Sequence, residues 1–183
     1  MRFLENHDEP RAAATFPPHL HAAAAIVTYL CPGMRFFHQG QFAGRKKRIS
    51  PHLARAPREP LDADLERFYE RLVQLLKDPI FRDGAWRLLD TAPAWEGNWT
   101  WDCFIAGLWN DEQGRRRLVA VNYASNHSQC YVRFALPGLG GSSVRFADLL
   151  GPTSFVRDGN DVVARGLYLD MPPWGYHVFA MSQ

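Results

Sequence analysis

Several things are scarce in this sequence, and each scarcity excludes a class. Cysteine occurs three times, at Cys31, Cys103 and Cys130. The number is odd, and no two sit at the spacing of a zinc clip or a redox motif. A disulfide scaffold and a cysteine-built metal site are therefore excluded, and the three read as buried free thiols. Long apolar runs are also missing. The longest, Ala22 to Cys31, has ten residues, too short to span a bilayer, and His21 and Pro32 flank it. Met1 opens no signal peptide, so a cytoplasmic location is the expectation, subject to any sequence upstream of Met1. An excess of charge of one sign is lacking too. The balance is 21 basic against 19 acidic residues, a net of +2, which argues against nucleic acid or an anionic membrane as partner. No repeat or low-complexity segment occurs, and the triplets Asn98-Trp99-Thr100 and Asn126-His127-Ser128 read as chance glycosylation signals.

What is present suffices for one ordinary domain or two small ones: 183 residues, 46% of them apolar. The first part reads as α/β. Arg2 to Leu4 is a strand-like stub that runs into a polar turn, Glu5 to Glu9. Pro17-Pro18 opens an alanine-rich helix, Leu20 to Leu30, because proline suits a first helical turn. Pro32-Gly33 ends it. Met34 to Phe37 reads as a short buried strand, and Gln39-Gly40-Gln41 turns the chain. After a proline- and arginine-rich loop, Arg45 to Pro60, a second helix follows. Its stripe is Leu61, Leu65, Phe68, Leu72, Leu75 and Leu76. Asp62 and Asp64 suit its positive end, Lys77 its negative end, and Pro79 stops it.

From Phe81 onward the pattern becomes all-β. The expected strands are Ala85–Asp90, Cys103–Trp109, Leu118–Tyr123, Cys130–Ala135, Val144–Ala147, Ser154–Arg157, Gly166–Asp170 and Tyr176–Met181. Turn signals separate them at Asp111 to Gly114, Pro137 to Gly141 and Asp158 to Asp161. Short strands at this spacing predict an antiparallel sandwich.

The stretch richest in chemistry is Phe3-Leu4-Glu5-Asn6-His7-Asp8-Glu9-Pro10-Arg11. A strand running into Asn-His-Asp sets an imidazole beside a carboxylate at the strand's carboxyl end, where barrel enzymes build their sites. Such a pair can hold sugar hydroxyls and stabilise developing positive charge. The triplet alone equally fits a polar turn or a helix cap. With its sequel it resembles the α-amylase family of glycoside hydrolases. That family shows Phe, two variable residues, then Asn-His-Asp, here Phe3, Asn6, His7 and Asp8. A helix follows, then a strand introduced by Pro-Gly and closed by an aromatic pair and Gly-Gln, here Pro32-Gly33, Phe36-Phe37 and Gly40-Gln41. A β-sandwich comes last. The chain departs from the pattern at Phe42, where the family often has Glu, and at His38-Gln39, which follow phenylalanines rather than tyrosines.

The resemblance implies α/β plus all-β architecture. Residues 1–78 would be the C-terminal part of a (β/α)8 TIM barrel, strands 7 and 8 with their helices, and 79–183 an antiparallel β-sandwich domain. It implies a retaining hydrolase or transglycosylase acting on an α-glucan or α-glucoside. Asp8 matches the carboxylate that stabilises the transition state and His7 the histidine that binds the same sugar. Arg11 would contact substrate or pair with Glu9. The nucleophilic Asp and the acid Glu belong to earlier strands, in an N-terminal barrel portion missing upstream of Met1. Loss of a general acid alone typically costs roughly a hundred- to ten-thousand-fold, and two strands cannot close a barrel. The chain alone is thus expected to be inactive and only partly stable. Asp62 and Glu66, on a solvated helix face, cannot substitute. No metal or cofactor is assigned.

Arg45-Lys46-Lys47-Arg48 reads as a solvated loop near the sugar site. Among the tryptophans, Trp95, Trp99 and Trp101 are the candidates for exposure. The alternatives to an enzyme fragment are a non-catalytic carbohydrate-binding module using Trp99 and Trp101, and a structural remnant. His177 reads as structural.

Overall fold

The computed structural model describes all residues except Ala54, Ala135 and Pro137. The end of the strand expected at Cys130–Ala135, the start of the turn at Pro137 and one position of the 45–60 loop thus lie outside the described residues. The chain divides into two units, Met1–Lys77 and Asp78–Gln183.

In the first unit, Arg2 and Arg35 form an isolated parallel bridge, with Arg2 N–H donating to Met34 O (2.7 Å) and Phe36 N–H to Arg2 O (2.9 Å). The two strands expected here contract to that bridge. The physical cause is length: one segment is cut off by the turn at Asn6, the other by Gly33 and by the turn at Gln39. A short helix α1, Ala12–Thr15, precedes α2, Pro18–Leu30. Pro18 occupies the first helical turn of α2, as its fixed φ and missing N–H favour. The buried face of α2 is His21, Ala23, Ala24, Ala25, Ile26, Tyr29 and Leu30. Helix α3 spans Ala63–Leu75. Asp62 is its cap and accepts from Leu65 N–H (3.1 Å), so it does not stand on a solvated face. Leu65 and Leu72 are buried, but Leu61 is exposed, and Tyr69, outside the leucine stripe, is fully buried.

The second unit begins with the one-turn helix α4, Ile80–Asp83. Pro79 thus starts a helix as well as following one. Among the described residues, nine antiparallel strands form two sheets. Strands β1 (Ala85–Leu88), β3 (Phe104–Asn110), β4 (Arg116–Asn122), β9 (Tyr176–Ser182), β6 (Ser143–Asp148) and β7 (Ser154–Asp158) lie in that order in one sheet. The other sheet is β2 (Asp90–Ala92), β5 (Ser128–Arg133) and β8 (Leu167–Met171). A single core joins them, with Leu108, Leu118, Phe146 and Phe179 from the first sheet and Cys130, Val132, Leu167 and Leu169 from the second. The strand expected over Ala85–Asp90 breaks at buried Leu89, where the chain passes from one sheet to the other.

One expected turn is a helix instead. Asp158 caps α5, Gly159–Arg165, accepting from the N–H groups of Asn160 (2.7 Å) and Asp161 (3.3 Å). Gly159 is required there because a Cβ would strike the Leu139 carbonyl oxygen. Gly166 ends the helix at φ 93, its N–H donating to Val162 O. His177 is structural: its Nδ1 lies 2.7 Å from Asp148, whose other oxygen accepts from Leu150 and Val178 N–H. Those donors hold the Asp148 carboxyl below the usual carboxylate range against the opposing effect of its burial. No described helix is long and apolar enough to cross a membrane.

Candidate functional site

Asn6 shapes the turn. Its Oδ1 accepts from the N–H groups of Asp8 (2.7 Å) and Glu9 (2.9 Å), a side chain standing in for a turn carbonyl. This leaves the side chains of His7 and Asp8 61% and 73% exposed and side by side, His7 Nε2 lying 3.2 Å from Asp8 Oδ2. Arg48 donates from Nε to the His7 carbonyl (3.3 Å), and the basic loop is otherwise tied by Lys46 and Lys47 N–H to Glu59. His7, Arg11, His38 and Gln39 line a cavity of about 330 Å³ together with the 45–59 loop. His7 and Asp8 also border a more open hollow with Arg48 and His52.

Arg11 is placed differently from the expectation. It is only 3% exposed and pairs with Glu5, not Glu9: Nη2 stands 2.9 Å from Glu5 Oε1. The turn at Asn6 folds residue 11 back beside residue 5, while Glu9 stays at the surface. Arg11 also donates to His38 Nδ1 (2.8 Å), Gln39 O (3.0 Å) and Arg45 O (3.3 Å). Glu5 Oε2 in turn accepts from Ala12 N–H (2.6 Å), at the start of α1. A guanidinium so engaged is fixed in place where it borders the cavity.

These contacts fix a tautomer. Guanidinium can only donate, so His38 Nδ1 must accept and its proton sits on Nε2. Nδ1 lies 3.5 Å from Glu5 Oε1 and cannot donate to it. His38 thus offers an N–H from the ring edge opposite Arg11, and the ring borders the same cavity as His7.

A second buried network braces the two segments. Gln41 Nε2 donates to the hydroxyls of Tyr29 and Tyr69, both at 2.8 Å. Tyr69 OH lies 2.8 Å from His21 Nε2, and Tyr29 OH donates to Phe36 O. The His38 N–H donates to Gln41 Oε1 (3.2 Å). Burial lowers the His21 pKa to about 4 and raises both tyrosines. Phe42, which departs from the family pattern, stacks on Tyr69 at 4.8 Å. The sequence gives no site role to Glu5, His21 or Tyr69, and His38 stands out in it only as a departure from the family pattern. The one available signal was polar residues embedded in apolar segments, as His21 is among alanines.

Among the described residues no group of three His, Cys, Asp or Glu side chains could hold a metal ion. Of the three candidate tryptophans, Trp99 is 82% and Trp95 53% exposed, while Trp101 packs against the sandwich core.

No protein-family model and no curated protein matches the chain. Solved structures do. A noncanonic maltogenic α-amylase from Thermotoga neapolitana matches over 100% of this chain with TM-score 0.79 and 16% identity. An α-amylase from Geobacillus thermoleovorans, complexed with acarbose, matches over 99% with TM-score 0.74 and 17% identity. A trehalulose synthase from Pseudomonas mesoacidophila matches over 98% with TM-score 0.59 and 18% identity. The chain spans 41%, 38% and 42% of those structures. The resemblance to the α-amylase family therefore holds at the level of fold, over the whole of this chain and under half of theirs.

Proposed function

We propose that this chain is the C-terminal portion of a retaining glycoside hydrolase or transglycosylase that acts on α-glucans or α-glucosides. In this reading residues 1–78 supply the last two βα units of a (β/α)8 barrel and residues 79–183 the domain that follows it. The supporting observation is the turn itself. Arg2 and Arg35 pair in parallel, as neighbouring barrel strands do, and Asn6 then holds His7 and Asp8 together just past the carboxyl end of the first. Asp8 accepts from sugar hydroxyls and stabilises the positive charge that grows on the anomeric carbon, without itself bonding to it. His7 donates to the same sugar. Arg11 positions: through Glu5 and His38 it ties the turn to the segment after Arg35. The nucleophile and the general acid lie outside these residues, so the chain alone does not turn over.

The test is the coding sequence upstream of Met1. An in-phase frame bearing an Asp and a Glu at earlier strand ends is expected, and in its full product Asp8→Asn should lower kcat at least about a hundredfold with the fold intact. A stop codon directly before Met1, or an Asp8→Asn product with unchanged kcat, would overturn the reading. Hydrolysis of a maltooligosaccharide by the pure 183-residue chain would overturn the predicted inactivity.

A further inference from the structure

The Trp95–Thr100 loop exposes two large indoles and yet is firmly held. Asn98, buried between them in the sequence, receives Ala94 N–H on Oδ1 (3.5 Å) and donates from Nδ2 to Thr100 Oγ1 (3.1 Å), while its N–H donates to Trp95 O (3.1 Å). Thr100 Oγ1 also accepts the N–H of Gln129 (3.0 Å). The loop is thereby fastened to β5, with Trp99 next in sequence to the threonine that holds Gln129. Exposing an indole to water forgoes the free energy that its burial would contribute, and a fixed loop gains nothing in freedom by it.

Next to this loop the three-stranded sheet carries a polar row. Gln129 and Asp170 are cross-strand partners, and Tyr131 and Tyr168 are the next pair on the same face, about 7 Å along the strands. The residues between them, Cys130 and Leu169, face the core, so both pairs lie on the outer face. Gln129 Nε2 (2.8 Å) and His127 Nε2 (2.6 Å) both meet Asp170 Oδ1. A carboxylate accepts only, so the His127 proton is on Nε2. Asp170 then keeps Oδ2, and His127 keeps Nδ1, outside these bonds. Two fixed acceptors, Asp170 Oδ2 and His127 Nδ1, near an exposed indole suit a ligand with an apolar face and a rim of donating hydroxyls. The Asp170 carboxylate already has two hydrogen-bond donors, which suits an uncharged ligand better than a cation.

We infer that Trp99, Gln129, Asp170 and His127 form a second sugar site on the sandwich, one that holds an α-glucan chain by stacking and hydroxyl hydrogen bonds and takes no part in bond cleavage. That the ligand is a pyranose follows from this chemistry. That its linkage is α rests on the function proposed above.

The 183-residue chain is titrated with maltoheptaose by calorimetry, with cellohexaose as the comparison. Saturable binding of maltoheptaose is expected. Trp99→Ala should weaken it about tenfold or more, the loss of one aromatic stack together with the hydrogen bonds it orients. Gln129→Ala should weaken it as well. Trp99 is so exposed that its replacement does not threaten the fold, which a matching thermal melt would verify. No binding, or binding that survives Trp99→Ala, overturns the inference. Binding lost with Asp8→Asn but not with Trp99→Ala overturns it while supporting the His7-Asp8 turn as a sugar site. Preference for cellohexaose overturns the inference, because the site would then select a β-linked chain.

Discussion

Arg11 and Glu5 illustrate how a turn decides a pairing that proximity along the chain does not. Glu9 is the nearer carboxylate in sequence, but its N–H is bound by Asn6 and its side chain stays in water. Glu5 is sealed in, and removing its cation leaves a buried charge with too few partners. Arg11→Met should therefore cost about 3–5 kcal/mol in urea unfolding, whereas Glu9→Gln should change stability by about 0.5 kcal/mol or less. His21 gives a pH signature. Its pKa is about 4 in the folded chain against 6.5 when unfolded, so the unfolded state takes up the extra proton between those values. Stability is complete above pH 6.5 and declines as pH falls toward 4, by on the order of 3 kcal/mol. Denaturation at pH 7 and pH 4.5 should show that loss, and His21→Gln should remove it. Equal losses in both proteins would reject the assignment.

At the level of elements, the sequence carried much of the structure where periodicity was strong. Helices α2 and α3 and the strands from β3 to β9 lie within a few residues of their expected bounds, because buried faces repeat at helical or alternating steps. What escaped was set by contacts distant in sequence. Asp158-Gly159-Asn160-Asp161 has the composition of a turn, and only the approach of the Leu139 and Ser142 carbonyls to Gly159 makes it a helix start. Leu89 marks a change of sheet that alternation alone cannot reveal. Of the candidate site, His7 and Asp8 could be named from the motif. Its support by Glu5 and His38 could not, since His38 meets Glu5 and Arg11 from some thirty residues further along the chain. Two substitutions probe the helix starts. Asp62→Ala should cost about 1 kcal/mol through loss of the α3 cap. Gly159→Ala should cost more than that, because the helix must move off the Leu139 carbonyl. Thermal melts of the three proteins would order them.

For the whole molecule, the distribution of the core carries a prediction. Every residue of the sandwich cluster lies within Asp78–Gln183. That segment expressed alone should melt in one cooperative transition with near-ultraviolet dichroism intact below it. Among its described residues Met1–Lys77 has one parallel bridge in place of a sheet, so by itself it should show helical signal without a sharp melt. A broad, featureless transition for Asp78–Gln183 would contradict the independence of its core. The strand order has a consequence for the making of this fold. In the six-stranded sheet β9 sits between β4 and β6, although it follows both in the chain. The β3-β4 and β6-β7 hairpins can close as soon as each is synthesised, but they share no edge until β9 arrives. On a ribosome, the two halves of this sheet must wait, each with an open side, for β9 to emerge and stitch them together.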